Sequence, residues 1–299
     1  MSPLLRRPAA RPRTPPAPFV VGVGRSGTTL LRMMLDAHPE LAIPPETHFV
    51  PELIDRGGEP AELVEAVVSS RGWGDFGLDA DLLRARVSEL DRPSPSDVAR
   101  AFYSLYAEAH DKLRWGDKTP GYVKRMRPIA AALPEARFIH VVRDGRDVAL
   151  SRRARGMGES KPIEEVAVLW RRRIENARRQ AKRLRGRYLE LRFEDLVAEP
   201  HAALERACEL IELAYDQRML AYHERAPERL SELGDLDPEG ERPRRSREER
   251  QAAHALAARA PSAARTEVWR ESMSQDERRR YESVAGPLLV DLGYDVPSS

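Results

Sequence analysis

The sequence predicts an α/β domain in three layers, a central parallel sheet flanked by helices, and three observations support this. Phe19-Val20-Val21-Gly22-Val23 is a short apolar run suited to a buried parallel strand, followed by a glycine-rich turn and a helix-forming stretch from Thr28 to Ala37. Arg137-Phe138-Ile139-His140-Val141-Val142 is a second such run, and Tyr188-Leu189-Glu190-Leu191-Arg192 a third. Between these two, Ile163, Val166, Trp170, Ile174, Ala177, Ala181 and Leu184 recur at steps of three and four. They form one apolar stripe on a helix from Ile163 to Arg185 whose outer face is rich in Arg. Strands that alternate with helices build parallel sheets.

The remaining elements follow in chain order. Residues 1–18, rich in Pro, Arg and Ala and without periodicity, predict a disordered leader. Helices are expected at Glu59–Ser70, at Asp79–Leu90 and at Ser96–Arg114, the last opened by Ser96-Asp97 as its cap. Pro200–Leu213 predicts a further helix. Residues 227–264 carry charge, Pro and Ala but no continuous core pattern, and predict an excursion or lid with a short helix near Arg247–Ala258. Trp269 to Leu292 returns to helix. The organisation is thus a leader and a single domain over 19–299.

Composition narrows the partners. The net charge of +2 exerts no bulk pull toward nucleic acid or an anionic membrane. Residues 121–187, however, hold 19 Lys/Arg against 7 Asp/Glu, a local +12 that leaves −10 for the rest. A segment that basic suits a polyanionic ligand, and a solvated helix face accounts for part of it. Cys208 is the sole cysteine, which excludes an internal disulfide and predicts a small buried apolar residue on a helix. No apolar run reaches the roughly 18 residues of a membrane span. No apolar stretch follows Arg6 and Arg7 to make a secretory signal, so a cytoplasmic location is expected. The seven His show no HExxH-type spacing, and no metal site is expected.

Two segments carry chemistry. Gly22-Val23-Gly24-Arg25-Ser26-Gly27-Thr28-Thr29 lies between a strand and a helix, where backbone amides point at an oxyanion. Its Gly22-to-Gly27 spacing equals that of the P-loop, so a P-loop-like connectivity is expected. The Lys that should follow Gly27 is instead Thr28. The cation sits inside the loop as Arg25, which fits a less charged, metal-free group such as a phosphosulfate. The second segment runs from Arg143-Asp144-Gly145-Arg146-Asp147 to Ser151, beyond the carboxyl end of a strand, where ligands of parallel sheets bind. Arg143 offers a planar fork for phosphate, and Ser151 adds a hydroxyl. A salt-bridged turn would produce the same Arg/Asp alternation.

Together these segments resemble the PAPS-dependent sulfotransferases (PAPS is 3′-phosphoadenosine 5′-phosphosulfate), in particular the bacterial branch similar to tyrosylprotein sulfotransferases. The likeness extends through Leu35-Asp36-Ala37-His38-Pro39, Pro45-Glu46-Thr47, Trp115-Gly116-Asp117-Lys118-Thr119-Pro120 and Leu191-Arg192-Phe193-Glu194-Asp195-Leu196, and resumes near Trp269-Arg270 and Leu292-Gly293-Tyr294. It covers roughly residues 19–215 and the tail and leaves 227–264 unmatched. The resemblance implies that Arg25, Ser26, Gly27, Thr28 and Thr29 hold the 5′ phosphosulfate, and that Arg143 and Ser151 hold the 3′-phosphate. It places Phe193 near the adenine, as a stacking or packing group, and Arg265 over the donor. Glu46 falls at the family's Glu-Thr pair and is the expected general base. Cytosolic relatives use a His two residues after a Lys, but here Lys118 is followed by Thr119 and Pro120, which leaves His48 in reserve. Lys118 and Arg25 would stabilise the sulfuryl oxygens. The expected partner is a hydroxyl-bearing acceptor: glycan, lipid, natural product or peptide tyrosine. Two other readings stay open. A P-loop kinase using ATP and Mg²⁺ is opposed by the missing Lys after Gly27 and by the lack of a clear Walker-B carboxylate. An inactive nucleotide-binding scaffold is opposed by intact Arg25, Glu46, Lys118, Arg143 and Ser151.

Overall fold

The computed structural model describes residues 14–155, 161–239 and 244–296. Its strands are β1 (Ala17–Gly22), β2 (Leu41–Ala42), β3 (Arg114–Trp115), β4 (Asp117–Lys118), β5 (Ala136–Val142) and β6 (Tyr188–Arg192). Four of them form one all-parallel sheet in the order β4-β1-β5-β6, and β2 pairs with β3 beside it. The helices α1 (Thr28–Asp36), α2 (Val50–Arg56), α3 (Pro60–Val68), α4 (Ala80–Ser88), α5 (Pro95–Ala109), α6 (Met126–Ala132) and α7 (Gly145–Arg153) occupy the first half. They are followed by α8 (Ile163–Ala181), α9 (Phe193–Ala198), α10 (Pro200–Leu210), α11 (Ala226–Ser231), α12 (Arg247–His254), α13 (Trp269–Ser272) and α14 (Gln275–Asp291). Among the described residues no helix is long and apolar enough to cross a membrane.

Side-chain alternation creates the three layers. Along β1, Phe19 and Val21 join the core beneath α2, α3, α5 and α6, while Val20 joins the opposite core beneath α1 and α10. On β5, Phe138 takes the first side and Ile139 and Val141 the second. A strand buried on both faces reads as a continuous apolar run, which is why β1 and β5 were visible in sequence. The stripe on α8 packs Trp170 and Ile174 against Tyr281 and Leu289 of α14. Cys208 is buried on α10, as expected.

The structure moves several boundaries. Residues 1–13 of the expected leader lie outside the described residues, and the strand starts at Ala17, not after residue 18. Ala17 and Pro18 pair with Ala136 and Arg137, a position where Pro costs little because it opens the strand. The helix expected over 96–114 starts at Pro95 and is capped by Ser94, whose hydroxyl and Asp97 form a capping box with Pro95 in the first turn. It ends at Ala109, because Asp111 turns the chain with φ 55° and Arg114 enters β3. The C-terminal helix is broken into α13 and α14, since Ser274 caps a new helix with Glu277. Within the unmatched stretch, Leu230 and Leu233 are buried in the core, and α12 followed by a short turn at Ala255–Ala258 lies where a helix was expected.

Candidate functional site

The glycine loop joins β1 to α1 and is held by tight backbone geometry. Gly27 is the residue before α1 and has φ 93°, a left-handed conformation that favours glycine. Its Cα faces the buried ring of Phe193, so that a Cβ there would lie 2.2 Å from Cδ2. Arg25 also has a positive φ, 78°, which is uncommon for a side-chain-bearing residue. The turn directs Arg25 across to α7, where Nε donates to Ser151 Oγ at 3.1 Å. The loop and the Arg-to-Ser segment, 126 residues apart, therefore meet as one site.

The Arg/Asp alternation after β5 splits into two jobs. Arg146 is fully buried, donates to Asp144 at 2.7 Å and Glu282 at 2.6 Å, and stacks 3.5 Å over Trp269. Asp147 accepts from the Trp269 amide at 2.9 Å. Asp147 also pairs with Arg143 at 3.6 Å, so Arg143, Asp144, Arg146 and Asp147 together realise the salt-bridged turn. Gly145 is required by packing, because a Cβ there would meet Trp170 at 2.6 Å and the Tyr281 hydroxyl at 2.1 Å. Arg143 also reaches the loop, with Nη1 donating to the Arg25 carbonyl at 3.2 Å and Nη2 to the Arg265 carbonyl at 2.6 Å.

Arg143 sits over the Phe193 ring at 4.7 Å, and Arg265 approaches the same ring at 5.7 Å. Phe193 is wholly buried beneath Gly27 and these cations. In this conformation it supports the loop and the arginines from below and presents no open face.

The electrostatics are those of a site built for an anion. Burial lowers the Arg25 guanidinium to about 10, and the neighbouring cations Arg155, Arg143, Arg265 and Arg245 add to the shift. Arg265 is also lowered, first by burial and then by Arg143. Ser26 Oγ and Arg143 Nε are buried with no hydrogen-bond partner. Buried polar groups normally find partners, so these two donors fit a ligand with several oxyanion oxygens.

Across the site, Lys118 Nζ is 2.7 Å from Glu46 Oε1, and His48 Nε2 is 3.2 Å from Glu46 Oε2. Lys118 is buried, Glu46 half-buried and His48 exposed. Burial alone would raise the Glu46 carboxyl, but Lys118 and His48 hold it well below the usual carboxylate range. Burial lowers Lys118, with Glu46 opposing. Asp117 does not pair with Lys118; its Oδ2 accepts from Thr47 at 2.7 Å and Tyr103 at 2.9 Å. Thr47 in turn contacts the Tyr122 hydroxyl at 2.8 Å and donates its amide to Thr119 at 3.1 Å. This network pins Glu46-Thr47 to Asp117-Lys118-Thr119 and so fixes the ion pair.

The structure thus gathers Arg25, Ser151, Arg143, Phe193 and Arg265 in one cluster and Glu46, Lys118 and His48 in another. His254 of α12 lies between them. Its Nδ1 is 3.3 Å from Thr29 Oγ1, and burial together with Lys118 lowers it to about 3. Sequence reading missed His254, Arg155 and Arg245. No motif surrounds them, and 227–264 matched nothing. Thr47 and Asp117 lay inside segments that were noticed, but their partners Tyr103 and Tyr122 carry no local signal.

A parallel α/β domain that opens on a strand, a glycine loop and a helix, and gathers Arg25, Arg143 and Arg265 there, belongs to the P-loop-like α/β class. The Sulfotransferase family model matches residues 16–217, and the chain belongs to that family. A Caenorhabditis briggsae protein provisionally named a protein-tyrosine sulfotransferase is 26% identical over 287 residues, 94% of this chain and 90% of that one. The Danio rerio protein-tyrosine sulfotransferase 1 is 28% identical over 220 residues, 70% of this chain but only 56% of its own length. The sulfotransferase domain from the Synechococcus PCC 7002 olefin synthase superposes with a TM-score of 0.61 at 25% identity, covering 99% of this chain and 100% of that domain.

Proposed function

We propose that this sulfotransferase takes its sulfuryl group from 3′-phosphoadenosine 5′-phosphosulfate and transfers it to an acceptor hydroxyl, with Glu46 as general base. The observation that carries the donor assignment is the union of Arg25, Arg143 and Ser151, where burial and neighbouring cations lower Arg25 and two buried donors lack partners. Arg25, Ser26, Gly27, Thr28 and Thr29 would hold the 5′ phosphosulfate; Arg143 and Ser151 would hold the 3′-phosphate, with Arg265 closing the same side. The donor supplies the activated sulfuryl group.

The chain's own groups account for the rest. Lys118 is a buried ammonium paired with Glu46, so an anion in the loop competes for it. When Lys118 turns to such an anion, Glu46 keeps only His48 and its proton affinity rises. A base that strengthens when the site fills is suited to an acceptor hydroxyl. His48 is solvent-exposed and acts through Glu46 in this scheme. The Danio rerio relative is named for protein tyrosine, and the cyanobacterial domain comes from an olefin synthase. Peptide tyrosine, a natural-product alcohol, a glycan or a lipid are the acceptor classes to screen.

The test is calorimetry with adenosine 3′,5′-bisphosphate and with AMP, followed by an acceptor panel with radiolabelled donor. Binding of the bisphosphate but far weaker binding of AMP is expected, without a requirement for Mg²⁺. Equal binding of both would remove the 3′-phosphate assignment and with it the donor.

A further inference from the structure

Helix α12 brings to the glycine loop a side chain that the donor and base assignments leave without a task. His254 is its last residue, with Nδ1 3.3 Å from Thr29 Oγ1. The helix is held at three places. Arg250, one turn earlier and therefore on the same face, forks onto Asp75, with Nη1 at 2.8 Å and Nη2 at 2.5 Å. Nη1 also donates to the Gly234 carbonyl at 2.7 Å, while the Gly234 amide donates to Asp75 at 3.0 Å. Arg155, from the end of α7, donates to the Ala252 carbonyl at 3.0 Å. At the helix start the Arg247 amide donates to Asp235 at 2.7 Å.

Asp75 is 4% exposed and the Arg250 side chain 11%. A buried ion pair is poor evidence of net stabilisation and better attested as a device for register. Here the register it sets is that of His254 over Thr29.

We propose that His254 is a positioning residue of the donor site: its Nδ1–H donates to Thr29 Oγ1, so that the single hydroxyl proton of Thr29 points to the oxyanion in the loop. The Arg250–Asp75 pair holds the helix that delivers it. This inference rests on the donor reading given above. A threonine hydroxyl has one proton and two lone pairs. In the other tautomer that proton goes to the imidazole, and Thr29 turns only lone pairs toward an anion. A loop ringed by Arg25, Arg143 and Arg265 needs donors at that point. The ring remains a neutral donor because burial, Lys118, Arg25 and Arg32 oppose its protonation, with Glu46 favouring it.

The experiment compares His254→Ala, His254→Asn and Arg250→Met in the full chain by calorimetry with adenosine 3′,5′-bisphosphate and by steady-state kinetics with the donor. A neutral hydrogen bond contributes ~1 kcal/mol, so His254→Ala should weaken bisphosphate binding and raise the donor KM about fivefold. His254→Asn, whose amide N–H can replace Nδ1–H, should restore most of the loss and leave the pH profile of kcat unchanged. Arg250→Met, remote from the loop, should lower affinity to a similar degree. The double variant His254→Ala/Arg250→Met should be no weaker than the worse single one. Wild-type affinity in His254→Ala overturns the proposal. So does an Asn variant as poor as Ala with the acid limb of the profile lost, which would make His254 a base. Should His254→Ala not fold, unchanged affinity in Arg250→Met overturns the delivery by α12. Wild-type protein that binds no bisphosphate overturns the donor reading itself, a result distinct from all of these.

Discussion

A methyl group at Gly27 has no room in this fold, and the cost can be worked from two terms. At φ 93° a Cβ enters the left-handed region, which costs ~1–2 kcal/mol for an L-residue. The same Cβ would lie 2.2 Å from Cδ2 and 2.7 Å from Cε2 of Phe193, a ring that is fully buried and pressed by Arg143 at 4.7 Å. Overpacking of this kind costs ~1–3 kcal/mol. Gly27→Ala should therefore destabilise by about 2–5 kcal/mol in all. Phe193→Ala empties the space and should cost ~3–5 kcal/mol alone.

The decisive measurement is the double variant. With the ring gone the new methyl fits, only the backbone term survives, and the pair should be less destabilised than the sum by ~1–3 kcal/mol. Urea unfolding of the four proteins supplies the cycle, provided the m value stays constant across them. A double variant that adds within about 0.5 kcal/mol would show that loop and ring are not in contact. The packing of Phe193 beneath the glycine loop would then be refuted.

Four further outcomes are expected. Arg143→Ala and Ser151→Ala should each weaken adenosine 3′,5′-bisphosphate by roughly 1.5–3 kcal/mol for the lost charge-assisted hydrogen bond, with acceptor KM little changed; wild-type affinity by calorimetry would remove them from the site. Glu46→Gln should lower kcat by about 10²–10⁴-fold at saturating donor while His48→Ala falls far less. Because Lys118 and His48 hold the Glu46 carboxyl low, the acid limb for the free enzyme should lie below the usual carboxylate range, and a limb at or above it would contradict the pair. Asp117, raised by burial from the ordinary 3.8 to about 6 against its bonds from Thr47 and Tyr103, binds its proton more tightly folded than unfolded. Its contribution is therefore greatest at the acid side and declines as pH rises through that window; Asp117→Asn should flatten this slope in melting temperature, and parallel curves would refute it.

What was legible in the sequence, and what was not, follows from where the chain buries charge. Strands β1 and β5 are apolar on both faces, and the loop announced itself by spacing, so the sheet and the meeting of the glycine loop with the Arg-to-Ser segment could be sought at residues 19–29 and 137–151. The two-residue strands β2, β3 and β4 are too short to show a period, although β4 carries Lys118. The stretch 227–264 resisted for a more specific reason.

Its interior contacts are charged. Arg229 is 5% exposed and pairs with Asp36 at 2.8 Å, Glu232 reaches Arg32 at 3.4 Å, and Arg250 is locked to Asp75. A pattern reading assigns Arg, Glu and Asp to the surface, because such residues are almost never fully buried unless paired. The partners here come from residues 32, 36 and 75, far away in the chain, so no local window could reveal the pairing. The same fact explains why His254 was invisible: α12 has no buried apolar residue and is seated by ion pairs and hydrogen bonds. A segment held by charge can be set in one register and still be released at modest cost, since water solvates each group once the pair parts. A core of leucines of equal extent would hold the helix as firmly but offer no such exit.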